Sequence, residues 1–288
     1  MRIVLIGARG QLGSDLLPVL QGDVIPWGHE DIDITRAGDV SNRLREVAPQ
    51  LVINAAAYNL VDQAEHEPET AMAVNAFGPR NLALACRDID AALLHVSSDY
   101  VFGLDTDRST PYGERDAPGP QSAYATSKLT GEYFVRSLCP RHFVVRTCGL
   151  YGRVATRGKG NFVETMLRLG RERDELGVVD DQRCTPSWTQ DVARAIADLC
   201  QTDRYGLYHA TNAGDMTWYE FACEIFRQAQ IDVSVRPITT AEFAAPAPRP
   251  AYSVLDCAKL TDTIGRSLPH WRDALSKYLK QRSQPQSP

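Results

Sequence analysis

Two features of this 288-residue sequence predict a doubly wound α/β fold built on a parallel sheet. Short apolar runs that read as strands alternate with helical stretches, and a glycine triplet separates the first strand from the first helix. Strands covered by helices on both faces lose the in/out alternation of a half-exposed sheet and become continuous apolar runs.

The elements follow in order. "RIVLIG" is a strand, Gln11 to Leu20 a helix, "DVIPW" a strand, Thr35 to Val47 a helix and "LVINAA" a strand. A long helix from about Glu69 to Arg87, the strand "AALLHVSS", a helix from Tyr124 to Leu138 and the strand "HFVVRT" complete a dinucleotide-binding domain over residues 1–150. Beyond Gly149 the pattern loosens into "GRVATRGKGN", a helix from Phe162 to Arg171 and a polar loop from Asp180 to Thr185. A helix from Gln190 to Cys200 and the strand "GLYHAT" predict that residues 186–212 return to the main sheet. Residues 151–185 and 213–282, with a helix from Trp218 to Gln228 and the Pro-rich "AAPAPRPAY", are expected to form a smaller C-terminal α/β cap that binds substrate. The tail "SQPQSP", residues 283–288, is expected to be disordered.

Composition narrows the partners. With 43% apolar and 23% charged residues the chain is ordinary globular protein, and a formal charge of -5 gives no long-range attraction to nucleic acid or anionic membranes. The first apolar run, Ile3 to Ile6, is too short for a signal sequence or a membrane span. The seven cysteines include no C-x-x-C pair, so reduced thiols in a cytoplasmic protein are expected, with neither a disulfide frame nor a metal site. Small molecules are the expected partners.

"VLIGARGQLGSDLL" places Gly7, Gly10 and Gly13 immediately after the first strand. So tight a turn needs residues without a Cβ, and a pyrophosphate can then sit on the helix N-terminus. The second strand leads into "GHEDIDIT", which offers acids and His29 but no Arg or Lys until Arg36, a pattern that favours NADH. Arg9, inside the glycine loop, is placed for the 2'-phosphate of NADPH, so both cofactors stay open. Asp33 and Ile34 are expected behind the adenine. "NAAAY" puts Ala56, Ala57 and Tyr58 at the carboxyl edge, where a cofactor would lie against small residues; helix packing explains the alanines equally well.

The fourth strand ends in "HVSSDYVFG", which brings Ser97, Ser98 and Asp99 to the edge where open α/β sheets bind ligands. Alternation sends the two serines to opposite faces, and Ser98 is the expected donor to a substrate carbonyl. Asp99 either binds substrate or caps the following loop. In "SAYATSKLTGEYF" Tyr124 and Lys128 lie four residues apart, on one face of a helix. Alone they could be a surface pair. After a glycine turn and a strand-end hydroxyl they match what carbonyl reduction requires, a proton donor and a hydrogen bond at the developing alkoxide. Free tyrosine titrates near ~10, and an adjacent ammonium would lower it. Tyr124 is thus the candidate acid and Lys128 its tuner.

Taken together, "GARGQLG", "VINAAAY", "VSSDYVFG", "YATSK", "TWYEFA" and "RPAYSVLDCAKL" resemble the dTDP-4-dehydrorhamnose reductase family of extended short-chain dehydrogenases, from Met1 to about Leu279. The resemblance implies a Rossmann-type domain and NAD(P)H-dependent reduction of the C4 ketone of a dTDP-4-keto-6-deoxyhexose to dTDP-L-rhamnose, with a homodimer as a further expectation. It also implies Gly10, Gln11 and Leu12 in the phosphate turn, Asp33 and Ile34 by the adenine, and Ala56, Ala57 and Tyr58 along the cofactor. Ser98, Asp99 and Tyr124 would meet substrate, and Tyr124 and Lys128 would also contact cofactor. Two positions depart from the family pattern: Ser98 stands where Thr is usual, and Cys148 and Gly149 stand where Ser and Trp are usual, which leaves the nucleotide sugar open. An epimerase that retains its NAD and a non-catalytic NADP-binding regulatory subunit are the rival readings. A dehydratase is disfavoured because Tyr100, not a second acid, follows Asp99.

Overall fold

The computed structural model describes residues 1–154 and 160–282, so the expected disorder of residues 283–288 lies outside the described residues. Among the described residues there are ten strands: β1 (Arg2–Ile6), β2 (Asp23–Trp27), β3 (Leu51–Asn54), β4 (Ala92–Ser98), β5 (His142–Thr147), β6 (Glu175–Val179), β7 (Arg183–Cys184), β8 (Gly206–His209), β9 (Met216–Thr217) and β10 (Ser234–Ile238). Six make one sheet in the order β2-β1-β3-β4-β5-β8, parallel throughout. The chain leaves β1 for β2 and returns to β3 on the other side of β1. That reversal opens a crevice at the carboxyl ends of β1 and β3. β2 tolerates Pro26 because it is the edge strand, where a missing N–H breaks no second ladder.

The helices are α1 (Gln11–Leu16), α2 (Ala37–Val47), α3 (Val61–Ala64), α4 (Pro68–Met72), α5 (Gly78–Asp88), α6 (Ala123–Leu138), α7 (Phe162–Glu172), α8 (Thr189–Leu199), α9 (Trp218–Ala229), α10 (Thr240–Phe243), α11 (Ala258–Ile264) and α12 (Trp271–Arg282). One face of the sheet packs Ile3, Leu5, Ile53 and Val145 against α1 and α8; the other packs Val4, Ile6, Val52 and Val144 against α2, α5 and α6. Alternate residues of each strand thus enter opposite cores, and both cores are apolar. A third core, around Leu167, Leu176, Phe221 and Trp271, belongs to the C-terminal elements, where β6 pairs with β10 and β7 with β9. Among the described residues no helix is long and apolar enough to cross a membrane. All seven cysteines are free thiols.

Three elements differ from the sequence expectation. α1 ends at Leu16, not Leu20, because Pro18 has no N–H with which to continue the ladder; turns closed on the Leu16 carbonyl by the Val19 and Leu20 amides follow. The long helix expected from Glu69 to Arg87 is divided by a π-helical turn over Ala73–Phe77. Pro79 cannot donate to the Asn75 carbonyl, and the wider turn absorbs the missing bond. Finally, residues 258–268, grouped by sequence with the cap, contribute Leu260 and Leu268 to the core between the main sheet and α8. Their apolar side chains find a closer partner there than in the cap.

A buried ion pair ties α6 to the sheet. Arg146 of β5 donates from Nε and Nη2 to the two carboxylate oxygens of Glu132, at 2.8 and 2.7 Å, and Ser97 Oγ donates to Oε1 at 2.6 Å. The side chains of Arg146 and Glu132 are 1% and 0% exposed, so neither charge has water as an alternative partner. The guanidinium also lies 5.0 Å from the centre of the Phe102 ring. Removing one partner strands the other in the interior. Arg146→Met is therefore expected to destabilise the protein by roughly 3–5 kcal/mol in urea unfolding, whereas Glu132→Leu/Arg146→Met should recover most of that loss.

Candidate active site

The glycine turn lies at the switch point. Gly7 adopts φ +78°, and a Cβ there would stand 2.7 Å from the Ala56 nitrogen; a Cβ on Gly13 would meet the Gly7 carbonyl oxygen at 2.1 Å. Side chains at either position would force β1, α1 and the loop after β3 apart. Gly10 is the N-cap of α1 and brings no side chain to it, so the first-turn amides of α1 lack a capping partner. The side chains of Gln11 and Leu12 turn away from the phosphate position expected for them. Gln11 Oε1 accepts from Gly152 N at 3.0 Å and Asn161 Nδ2 at 2.8 Å, and Leu12 is buried in the core. Only their backbone can serve the turn.

In the loop between β2 and α2, Asp33 is held by Thr35, whose amide and hydroxyl donate at 3.0 and 2.7 Å. The hydroxyl contact, with Arg36 nearby, keeps the carboxyl below its usual range. Ile34 is buried against Gly78, and Asn81 Nδ2 donates to its carbonyl at 3.0 Å. Arg9 is exposed and paired with Glu30. After β3, Ala56 is half-buried and Ala57 exposed. Tyr58 and Asn75 exchange two hydrogen bonds of 2.9 Å, and Asn75 Nδ2 reaches Ser127 Oγ at 3.0 Å. Ser127 in turn donates to the Tyr124 carbonyl at 2.7 Å. The π-helical turn that carries Asn75 thereby fixes the first turn of α6.

Ser98 ends β4 and Tyr124 lies in the first turn of α6, where the serine hydroxyl acts on the phenol. Ser122 caps the helix by accepting from Ala125 N at 3.1 Å. Ser97 points the other way, into the Glu132–Arg146 pair. Lys128 is buried beneath the site and donates from Nζ to the Val96 carbonyl at 2.7 Å. Burial lowers its pKa to about 8, against the pull of Glu132. The Tyr124 phenol is pushed up to about 12 by burial, with the Ser98 hydrogen bond opposing and the Asp99 charge adding to the rise. This is opposite to the lowering expected from Lys128: the arrangement holds Tyr124 as a protonated phenol.

Asp99 is enclosed. Ser253 Oγ donates to Oδ2 at 2.6 Å and Ser98 Oγ to Oδ1 at 3.2 Å. Burial nonetheless raises the carboxyl to about 6. Two contributors to the site were missed in the sequence. Glu132 follows Tyr124 and Lys128 at the same four-residue interval, a helical signal that could have found it. Ser253 lies in "RPAYSVLD", a motif whose contact with Asp99 has no local trace. Arg249 of the same segment donates to both carboxylate oxygens of Asp62, at 2.9 and 3.0 Å, which ties it to the half that carries the glycine turn. Among the described residues no group of three or more His, Cys, Asp or Glu could hold a metal ion.

A glycine turn at the switch point of a parallel sheet, with a hydroxyl at the carboxyl end of β4 and a phenol in the first turn of α6, is the arrangement of the Rossmann-type oxidoreductases. The RmlD substrate binding domain model matches residues 1–284, and the chain belongs to that family. It is 42% identical over 286 residues to a dTDP-4-dehydrorhamnose reductase of Streptomyces griseus, covering 96% of this chain and 92% of that protein. A probable dTDP-4,6-dihydroxy-2-methyloxan-3-one 4-ketoreductase of Streptomyces antibioticus is also 42% identical, with 96% and 93% covered. The crystal structure of dTDP-4-dehydrorhamnose reductase from Bacillus anthracis in complex with NADP superposes with a TM-score of 0.91 at 39% identity, covering 97% of this chain and 99% of that one.

Because the Ser253 hydrogen bond favours the ionised carboxylate, its loss must raise the Asp99 pKa further. Ser253→Ala is expected to move the Asp99 midpoint above 6, followed by carbon NMR of the labelled carboxyl group. An unchanged midpoint would show that Ser253 does not donate to Asp99.

Proposed function

We propose that the protein reduces the C4 ketone of dTDP-4-dehydro-6-deoxy-L-mannose to dTDP-L-rhamnose with NADPH or NADH. The observation that carries this reading is the placing of Ser98 at the carboxyl end of β4 and Tyr124 and Lys128 on α6 over the same sheet as the glycine turn, in a chain so similar to reductases of that name. The residues present fit the cofactor. The uncapped first turn of α1 offers the backbone of Gln11, Leu12 and Gly13 to a pyrophosphate. Asp33 and Ile34 border the adenine end, and Ala56, Ala57 and Tyr58 line the path towards the nicotinamide. Arg9 is placed for a 2'-phosphate, which would compete with Glu30 for its guanidinium.

When bound, the nicotinamide supplies the hydride that reduces the carbonyl carbon. The oxygen then gains negative charge; Ser98 donates a hydrogen bond to it and Tyr124 gives up its phenolic proton. A phenol held protonated by burial and by Asp99 is in the correct state to begin this step. Lys128 holds the ribose and stabilises the phenolate that remains. Its ammonium, weakened to about 8 by burial, is the group whose deprotonation would limit activity at alkaline pH.

One observation supports a neighbouring substrate. The chain is as similar to a ketoreductase for another dTDP-deoxysugar as to a rhamnose-forming reductase, and Gly149 leaves the sugar side without a side chain at that position. NAD(P)H oxidation across dTDP-, UDP- and GDP-4-keto-6-deoxysugars, with product stereochemistry, discriminates these. One free NAD(P)H consumed per product indicates a reductase; turnover without net consumption indicates an epimerase, and no turnover a regulatory subunit. Tyr124→Phe is expected to keep cofactor affinity and lose about 10²–10⁴-fold in kcat. Near-normal turnover in that variant would remove Tyr124 as the acid.

A further inference from the structure

Gly149 leaves the end of β5 with φ +47°, two residues after Thr147, the register partner of Ser98. The space a side chain would take there is already filled. A Cβ on Gly149 would lie 3.0 Å from Trp218 Cη2 and 3.1 Å from Pro186 Cα. Trp218 is the first residue of α9, and its indole reaches the carboxyl end of β5, the strand whose Thr147 pairs with Ser98 of β4. Phe162 stands against it, with ring centroids 4.6 Å apart. Of the four tryptophans in the chain, Trp27, Trp188 and Trp271 are no more than 5% exposed, while Trp218 is only half-buried. An indole supported by a second ring and left partly open beside a catalytic edge is suited to an apolar ligand face.

We propose that Trp218 is the aromatic wall of the sugar subsite, packing against the C–H face and methyl group of the 6-deoxyhexose, and that it sets selectivity for such sugars from the cap. This rests on the nucleotide-sugar reading above. A hexose bearing a C6 hydroxyl would bring a polar group against the indole with no partner there, which disfavours it. Gly149 is the complement of this arrangement, since a larger residue there would displace the ring.

Intrinsic fluorescence tests the contact without turnover. Trp218 is the tryptophan open to a ligand, so dTDP-L-rhamnose should change the emission of the wild-type protein more than dTDP does, and Trp218→Phe should abolish the difference. In steady-state assays Trp218→Ala is expected to raise KM for the 4-keto-6-deoxysugar about tenfold with KM for NADPH unchanged, and Trp218→Phe to recover most of the loss. A drop in melting temperature with the sugar KM unchanged would make Trp218 a packing residue only and overturn the proposal. So would wild-type turnover with identical fluorescence responses to dTDP and dTDP-L-rhamnose. Failure of the wild-type protein to reduce any ketosugar would instead sink the reductase reading, and the fluorescence difference distinguishes the two failures.

Discussion

The contact on which the rest of the site depends is the buried pair of Glu132 and Arg146. Glu132 stands two turns along α6 from Tyr124 and one from Lys128, and its carboxylate is clamped by β5 through Arg146 and by β4 through Ser97. A slide or rotation of α6 would break three hydrogen bonds inside the protein with no water to replace them. So deep an ion pair adds little net stability over an apolar substitute, and its use here is to hold one register. That register sets Tyr124 in the first turn of α6 above the end of β4 and joins Lys128 to the Val96 carbonyl. The Asn75 network secures the other end of the helix, through Ser127 to the Tyr124 carbonyl.

The two halves of the molecule meet through polar contacts concentrated at the site. Gln11, in the glycine turn, accepts from Gly152 and Asn161; Asp62 receives Arg249; Asp99 receives Ser253. Each pairs a residue of the half that carries the glycine turn with one from beyond Thr147. The C-terminal elements therefore shape the interior of the candidate site. Ser253 acts on the charge of Asp99, and Asp99 acts on Tyr124.

Burial is the common cause of the electrostatics. It raises Asp99 to about 6 and Tyr124 to about 12 and lowers Lys128 to about 8. In each case the charged form is the one disfavoured. For Asp99 the folded pKa lies above its unfolded value, so ionising the carboxyl costs stability that is retained below pH ~4 and lost as pH rises towards about 6. Asp99 and Lys128 are thereby brought towards neutral pH, while Tyr124 is kept protonated.

The sequence by itself determined what rests on local chemistry. Continuous apolar runs specify strands covered on both faces, glycines at 7, 10 and 13 specify the turn, and four-residue spacing puts Tyr124 and Lys128 on one side of a helix; all of these are properties of short segments. The tertiary structure alone decided what depends on distant partners. Ser253 and Asp99 are separated by 154 positions, and the side chain that excludes others from position 149 comes from Trp218. The direction of the Tyr124 shift belongs here too: an i,i+4 lysine suggests a lowered pKa, but Lys128 turns to the Val96 carbonyl, and burial and the Asp99 charge, both products of packing, raise the phenol instead. Spacing reveals which groups can meet. How much water each keeps when they do is known only once the chain has closed around them.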